Sequence, residues 1–168
     1  MKKLLISMLI FLFVLPFSGC SEKIPEKIET HIDSPFTANM GDLKLSGLLI
    51  YTDDGEMYLD YSTPDELYGM SFSWKDDFTI GYRGLNAVTE SDYLPPTSFA
   101  QSIKNSLDDV NISNPTLKSE ESGRFVASGK SDSGEYKIHT NSKGEIIGIE
   151  VVSADITLRM NNALLTAK

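Results

Sequence analysis

The segment LKLSGLLIYTDDGEMYLDY, residues 43–61, contains two apolar runs on either side of a short acidic stretch. In the runs 43–51 and 57–61 apolar and polar side chains alternate, as is typical of half-buried β-strands. Asp54 and Gly55 lie between the runs. An Asp-Gly pair favours a tight hairpin, because the turn needs positive φ and glycine adopts it without steric cost. The segment therefore predicts two antiparallel strands joined by a hairpin turn.

The same alternation continues on both sides of this hairpin. Residues 36–40 precede it, and the runs Met70–Trp74 and Phe78–Tyr82 follow it. Four further strands are predicted later in the chain, at 124–129, 135–140, 145–153 and 155–160, the last as a weaker edge strand. The connections are mostly short polar turns that end in glycine, and these favour hairpins. The pattern predicts an antiparallel meander of about nine short strands.

One segment has helical instead of strand periodicity. Residues 99–110 place apolar side chains at helical spacing, namely Phe99, Ile103, Leu107 and Val110. Ser98 and Gln101 have the spacing of a capping box at its start, and Thr63 and Glu66 around Pro64 predict a separate single helical turn. The apolar stripe of the longer helix must be buried against the sheet. The predicted fold class is therefore mainly β (α+β): a curved antiparallel sheet or half-barrel of nine or more strands, with one amphipathic helix packed on its concave face.

The first twenty residues have the features of a bacterial export signal. Lys2 and Lys3 precede an apolar run at 4–14, which as a helix would rise only ~16 Å and is too short for a ~30 Å hydrocarbon core. Phe17-Ser18-Gly19-Cys20 follows and resembles the lipobox of bacterial lipoproteins, in which the cysteine is acylated. The resemblance implies a signal peptide at 1–19 and a diacylglycerol or palmitate-type modification at Cys20. The alternative is a secretory signal whose lone cysteine is buried.

The remaining sequence predicts a short tether followed by one domain. Residues 20–34 lack a long apolar run and carry Pro25 among alternating charges, so we interpret them as a lipidated tether. Residues 35–168 form the predicted half-barrel domain. The expected location is the extracytoplasmic face of the cell membrane, with the lipid as anchor. The formal net charge of −9 argues against nucleic acid as a partner, and a single cysteine excludes an internal disulfide.

The order of these features resembles a known family. The hairpin at 43–61, the Ser62-Thr63-Pro64 step, the helix after Pro95-Pro96 and the closing Gly-Glu strand pairs are similar to those of small Gram-positive lipoproteins. These in turn are similar to the LolA/LolB-type lipoprotein-carrier superfamily. The resemblance covers about residues 36–160, and it implies an incomplete β-barrel with a helical plug over an apolar cavity. It also implies that the cavity binds acyl chains or other amphiphiles.

The candidate ligand-binding residues are apolar side chains on neighbouring strands and on the helix opposite them. They are Phe72, Trp74, Phe78, Ile80, Tyr82, Phe99, Ile103 and Leu107. They are expected to line a cavity for a lipid or amphiphile that enters between sheet and helix. The alternative is that they form a fully packed core, in which case the protein is an envelope accessory lipoprotein with a protein partner. That partner would dock by strand addition at the predicted edge strand 155–160.

No pattern of catalytic residues is present. The sequence contains neither a Gly-x-Ser-x-Gly nucleophile elbow nor a phosphate-binding glycine loop, so no enzymatic activity is predicted. His31 and His139 are the only histidines and lie far apart in the chain, which argues against a metal site. No cofactor is expected other than the acyl modification of Cys20.

Overall fold

The computed structural model describes residues 23–90, 93–120 and 123–161. Eleven strands and one α-helix form in these stretches. In chain order the first six strands are β1 Ile32–Met40, β2 Leu43–Tyr51, β3 Met57–Thr63, β4 Met70–Trp74, β5 Phe78–Tyr82 and β6 Leu85–Thr89. The rest are helix α1 Phe99–Ser113 and the strands β7 Lys118–Ser119, β8 Phe125–Ser131, β9 Gly134–Thr140, β10 Ile146–Val151 and β11 Ile156–Met160.

The strands form one open antiparallel sheet with the order β6-β5-β4-β3-β2-β1-β11-β10-β9-β8-β7. Strands β1 to β6 are one meander and β7 to β11 a second, and the two join where β1 pairs with β11. Helix α1 connects β6 to β7, the two edge strands, so the chain passes across the sheet from one edge to the other. The predicted fold class of a curved sheet with one helix on its concave face is confirmed.

The hairpin at 43–61 forms as its alternation predicts. Tyr51 pairs with Met57 at the end of the ladder, and Gly55 in the turn has φ 82°. Along β2 the inward side chains Leu45, Leu49 and Tyr51 are all at most 3% exposed. Because the side-chain period is two, this one buried face fixes the register of the whole meander.

Helix α1 buries the apolar stripe that its spacing predicts. Phe99, Ile103, Leu107 and Val110 are all at most 5% exposed. The predicted capping box does not form: Ser98 is the N-cap residue by its extended backbone, but its side chain makes no capping hydrogen bond. Gln101 instead donates a hydrogen bond to the side chain of Asn105 at 2.7 Å. The helix continues to Ser113 and ends where Asn114 adopts φ 41°.

Residues 155–160 were predicted as an edge strand; the strand forms, but its predicted position at the edge is wrong. β11 lies near the middle of the sheet, between β1 and β10, and its inward residues Ile156, Leu158 and Met160 are at most 9% exposed. Pairing of β11 with β1 brings together residues more than a hundred positions apart, and no local pattern encodes it. The true edges are β6 and β7, neither of which was predicted from the sequence.

The segment around Pro64 is a turn and not a helical turn. β3 continues to Thr63, and the Leu67 N–H then donates to the Pro64 carbonyl at 2.9 Å. The N–H of Gly69 already bonds to the Tyr61 carbonyl at 3.2 Å, which returns the chain to the sheet before a helix forms.

The packed domain begins earlier than residue 35. Ile28 is 2% and Ile32 is 5% exposed, and the Glu29 N–H donates to the Gly144 carbonyl at 2.9 Å. The part of the predicted tether from Ile28 onward therefore belongs to the domain. The buried apolar residues of the described chain extend from Ile28 to Met160, and we expect residues 21–168 to fold without the preceding segment.

Candidate functional site

The concave face of β4, β5 and β6 is the part of the sheet that carries the candidate aromatic residues. Three rows of register partners cross it: Trp74–Phe78–Thr89, Phe72–Ile80–Ala87 and Met70–Tyr82–Leu85. Direct partners in an antiparallel ladder share a face, so all nine side chains lie on the helix side of the sheet. We call this surface the concave shelf.

Exposure on the concave shelf rises toward the edge strand. Phe72 and Phe78 are 9% and 5% exposed, whereas Tyr82 is 38% and Leu85 is 76% exposed. Helix α1 packs mainly against β8 and β10, at the other end of the sheet. The shelf is thus apolar surface that begins in the core and continues past the helix into solvent.

Aromatic rings connect the start of the helix with the concave shelf. Phe99 stacks on Phe36 with ring centroids 5.7 Å apart and lies 6.0 Å from Tyr61. Tyr61 makes an edge contact with Phe72 at 6.1 Å, and Phe72 stacks on Phe78 at 6.3 Å. Such pairs favour fixed offset or edge geometries, so this end of the core is rigid and shaped by rings.

Trp74 lies at the outer end of this ring system, with its ring centroid 4.7 Å from that of Phe78. Its indole Nε1 is buried, yet it has no hydrogen-bond partner in the described residues. Buried indole N–H groups normally have an acceptor. A surface depression of about 410 Å³ opens beside it. Besides Trp74 and Phe78 its lining is polar and consists of Lys75, Thr89 and the carboxylates of Asp76, Asp77 and Glu90.

The structure separates the predicted ligand-binding residues into two groups. Phe72, Trp74, Phe78, Ile80 and Tyr82 lie together on the concave shelf, and Phe99 joins them through Tyr61. Ile103 and Leu107 have no exposed surface. A ligand that touched these two side chains would first have to displace them or the helix.

Hydrogen bonds from the sheet hold the helix in place. The Tyr51 hydroxyl donates to Asp108 at 2.9 Å, and the Tyr136 hydroxyl donates to Asp109 at 2.5 Å. Lys104 forms an ion pair with the same Asp108. Burial is the main cause that raises the pKa of both tyrosines well above the ordinary value near 10, and the neighbouring carboxylates raise it further. These contacts tie one helix face to β2 and β9.

The sequence analysis did not predict β6 and therefore missed its residues on the concave shelf, Leu85, Ala87 and Thr89. Tyr82 pairs with Leu85 across a two-residue turn, in which Arg83 and Gly84 have φ 49° and 86°. Positive φ at both turn positions is the pattern of a tight hairpin. Gly84, between alternating residues on both sides, was the signal that could have identified this strand.

The histidines lie in different surroundings. His139 in β9 has Nδ1 3.3 Å from Glu120 and Nε2 3.3 Å from Glu150, while His31 is an exposed residue just before β1. Within the described residues, no group of three or more His, Cys, Asp or Glu side chains has an arrangement suited to a metal ion.

No known protein family matches this sequence, and no curated protein is significantly similar to it. Cys20 and the predicted signal peptide at 1–19 lie outside the described residues. Among the residues that are described, no helix has the length and apolar character needed to cross a membrane.

Proposed function

We propose that this protein is a membrane-anchored, extracytoplasmic lipoprotein that binds an amphiphile, with an acyl chain or similar apolar part on the concave shelf. The anchor is the lipid expected on Cys20. The observation that carries the proposal is the position of Trp74: a buried indole N–H without a hydrogen-bond partner among the described residues, at the end of an apolar surface that the helix does not cover.

The shelf is suited to an apolar chain of limited length. Covering its exposed side chains would contribute roughly 25 cal/mol per Å² of apolar surface removed from water. The indole N–H favours a ligand that also carries an uncharged hydrogen-bond acceptor, such as an ester oxygen, because that contact satisfies a buried donor and avoids repulsion by Asp76, Asp77 and Glu90. Both properties together describe an amphiphile more closely than a hydrocarbon.

The helix sets how far the ligand reaches. Tyr51 and Tyr136 bind its two neighbouring aspartates, and Ile103 and Leu107 fill the space beneath it. The ligand therefore lies beside the helix, on β4 to β6, and enters deeper between sheet and helix only when those contacts open.

Trp74 fluorescence tests the proposal directly, since it is the only tryptophan in the chain. With the soluble domain, residues 21–168, we expect a saturable change in emission on addition of a fatty acid or a lysolipid below its micelle concentration. A short-chain analogue with the same head group as each ligand is the control and should give no change. A flat titration with long-chain ligands in the folded domain would contradict the proposal.

A matched pair of substitutions on β6 tests whether ligand binding depends on the concave shelf or on exposed apolar surface in general. Ala87 pairs with Ile80 on the concave face, whereas Val88 pairs with Thr79 on the opposite face, and both are exposed. Ala87→Glu should weaken ligand binding about tenfold or more, because it places a charge where the apolar chain lies. Val88→Glu should leave the affinity unchanged, and equal losses in both variants would place the ligand elsewhere.

A second candidate function is supported by the free edge of β6. Leu85 and Val88 are 76% and 68% exposed on opposite faces, and the strand LNAVT contains no charge or proline to block pairing. In this alternative the protein is an envelope accessory lipoprotein with a packed core, and it recruits a protein partner by strand addition.

Photo-crosslinking from position 85 in intact cells tests that alternative. In a two-residue hairpin the N–H of Val88, opposite Thr79, points away from β5. Val88→Pro should therefore abolish a crosslinked adduct, whereas Val88→Ala, which keeps the N–H, should retain it. An adduct that survives Val88→Pro would exclude strand addition at this edge.

A further inference from the structure

The convex face of the central strands carries free positive charge, although the chain has a net charge of −9. Lys44 on β2 and Arg159 on β11 are both exposed, and neither has an ion-pair partner among the described residues. Other lysines of the described chain, such as Lys104 and Lys137, are paired with carboxylates. Other exposed cations, such as Lys130 on β8, have no ion-pair partner among the described residues either, so what distinguishes Lys44 and Arg159 is their common position beside β1.

The sheet register places these two cations on either side of β1. Arg159 pairs with Thr37, and Thr37 pairs with Ser46. Lys44 pairs with Asn39, which in turn pairs with Thr157. Strands are ~4.8 Å apart and rise ~3.3 Å per residue, so two strand spacings and the two-residue offset from Thr37 to Asn39 separate the Cα atoms of Lys44 and Arg159 by about 12 Å.

A groove of about 600 Å³ lies between them. Among the described residues, its polar lining consists of the two cations, the hydroxyl groups of Thr37, Ser46, Thr63 and Thr157, and the amide of Asn39, without a carboxylate. Ser46 and Thr63 are already hydrogen bonded to each other at 2.7 Å, which fixes that end of the groove. The groove is larger than a single inorganic ion needs.

We propose that this convex groove binds a phosphate ester that carries hydroxyl groups, with Lys44 and Arg159 on the phosphate and the Thr, Ser and Asn side chains on the hydroxyls. Arginine and lysine form strong charge-assisted hydrogen bonds to phosphate oxygens. Hydroxyl and amide side chains both donate and accept, as a polyol requires. In the described part of the chain no carboxylate belongs to the lining; Glu150, the register partner of Thr157 on β10, lies outside it.

This site is separate from the concave shelf, because the two lie on opposite faces of the sheet and on different strands. The same polyol phosphate chemistry occurs in a soluble metabolite and in a lipid head group. An anchored protein meets both, and the experiment distinguishes them.

The test is a titration of the soluble domain, residues 21–168, followed by amide chemical shifts. The probes are glycerol 3-phosphate, glycerol and inorganic phosphate, and we expect saturable shifts at Thr37, Ser46 and Thr157 with glycerol 3-phosphate. Lys44→Gln and Arg159→Gln should each lower the affinity about tenfold, since each removes a charge-assisted contact. Lys130→Gln removes an exposed charge from the same convex face on β8, outside the groove, and should leave binding unchanged.

Vesicles separate the two sources of the ligand. Binding to phosphatidylglycerol–phosphatidylcholine vesicles that is lost in Arg159→Gln, without binding of free glycerol 3-phosphate, would support the site with a lipid head group as its ligand. Equal affinity for inorganic phosphate and glycerol 3-phosphate would overturn the assigned ligand class. Absence of any shift, or equal losses in Lys130→Gln and Arg159→Gln, would overturn the site itself.

Discussion

Replacing Leu107 by alanine should lower the free energy of unfolding by about 2–5 kcal/mol. The Leu107 side chain has no exposed surface and lies on the buried face of helix α1. Truncation removes apolar contacts and leaves a cavity between helix and sheet, and a close-packed core relaxes only in part to fill it. Chemical denaturation followed by far-UV circular dichroism measures the change.

Ile112→Ala is the matched control for this substitution. Ile112 belongs to the same helix but is 85% exposed, so its truncation should change stability by less than about 0.5 kcal/mol. Similar losses in the two variants would mean that the helix is not packed on the sheet as described.

Leu107→Ala also tests where the proposed amphiphile binds. If the ligand stays on the concave shelf beside the helix, Leu107→Ala should leave the Trp74 titration unchanged once the domain is folded. If the ligand enters beneath the helix, the new cavity should strengthen its binding. The second outcome would extend the site to Ile103 and Leu107, as predicted from the sequence.

Local periodicity was enough to predict most of this fold. The hairpin at 43–61 and the buried stripe of helix α1 depend on neighbours within a few residues, and both form as predicted. What the sequence could not show was long-range pairing. β11 pairs with β1 across the whole domain, and this alone turns a predicted edge strand into a central one.

The candidate sites show the same limit: local patterns predicted which face a side chain is on, but not how exposed it is. Side-chain parity correctly put Phe72, Trp74, Phe78, Ile80 and Tyr82 on one face. Their exposure depends on where the helix lies on the sheet, which no local pattern specifies. The convex groove could not be predicted from the sequence, because its residues come from β1, β2, β3 and β11 and its polar residues each have the pattern of an ordinary solvent-facing strand position.

Alkaline pH should unfold this domain steeply, through three buried tyrosines. Tyr51, Tyr61 and Tyr136 are at most 6% exposed, and burial raises the pKa of each well above the ordinary value near 10. Above pH ~10 the unfolded chain releases these phenolic protons while the folded domain keeps them. The folded state then binds more protons, so stability falls as the pH rises and is fully present below pH ~10.

The linkage between proton binding and unfolding gives the expected slope of the free energy of unfolding against pH. Each buried phenol should lower the free energy of unfolding by about 1.4 kcal/mol per pH unit, and the three together by about 4 kcal/mol per pH unit. Phenolate absorbance and far-UV circular dichroism should therefore report one shared transition for these three groups. Ionisation of the three phenols with the sheet intact would contradict the assignment.

Two tyrosine-to-phenylalanine variants separate the effect of burial on stability from the effect of hydrogen bonding. For Tyr61, burial alone raises the pKa, so Tyr61→Phe should reduce the alkaline slope by about one third and change stability at neutral pH very little. Tyr136 also donates to Asp109, so Tyr136→Phe should reduce the slope equally and cost a further 1.5–3 kcal/mol or so at neutral pH. The difference between the two variants at neutral pH then measures how strongly the hydrogen bond from β9 holds helix α1 on the sheet. A ligand that inserts beneath the helix has to overcome that same interaction.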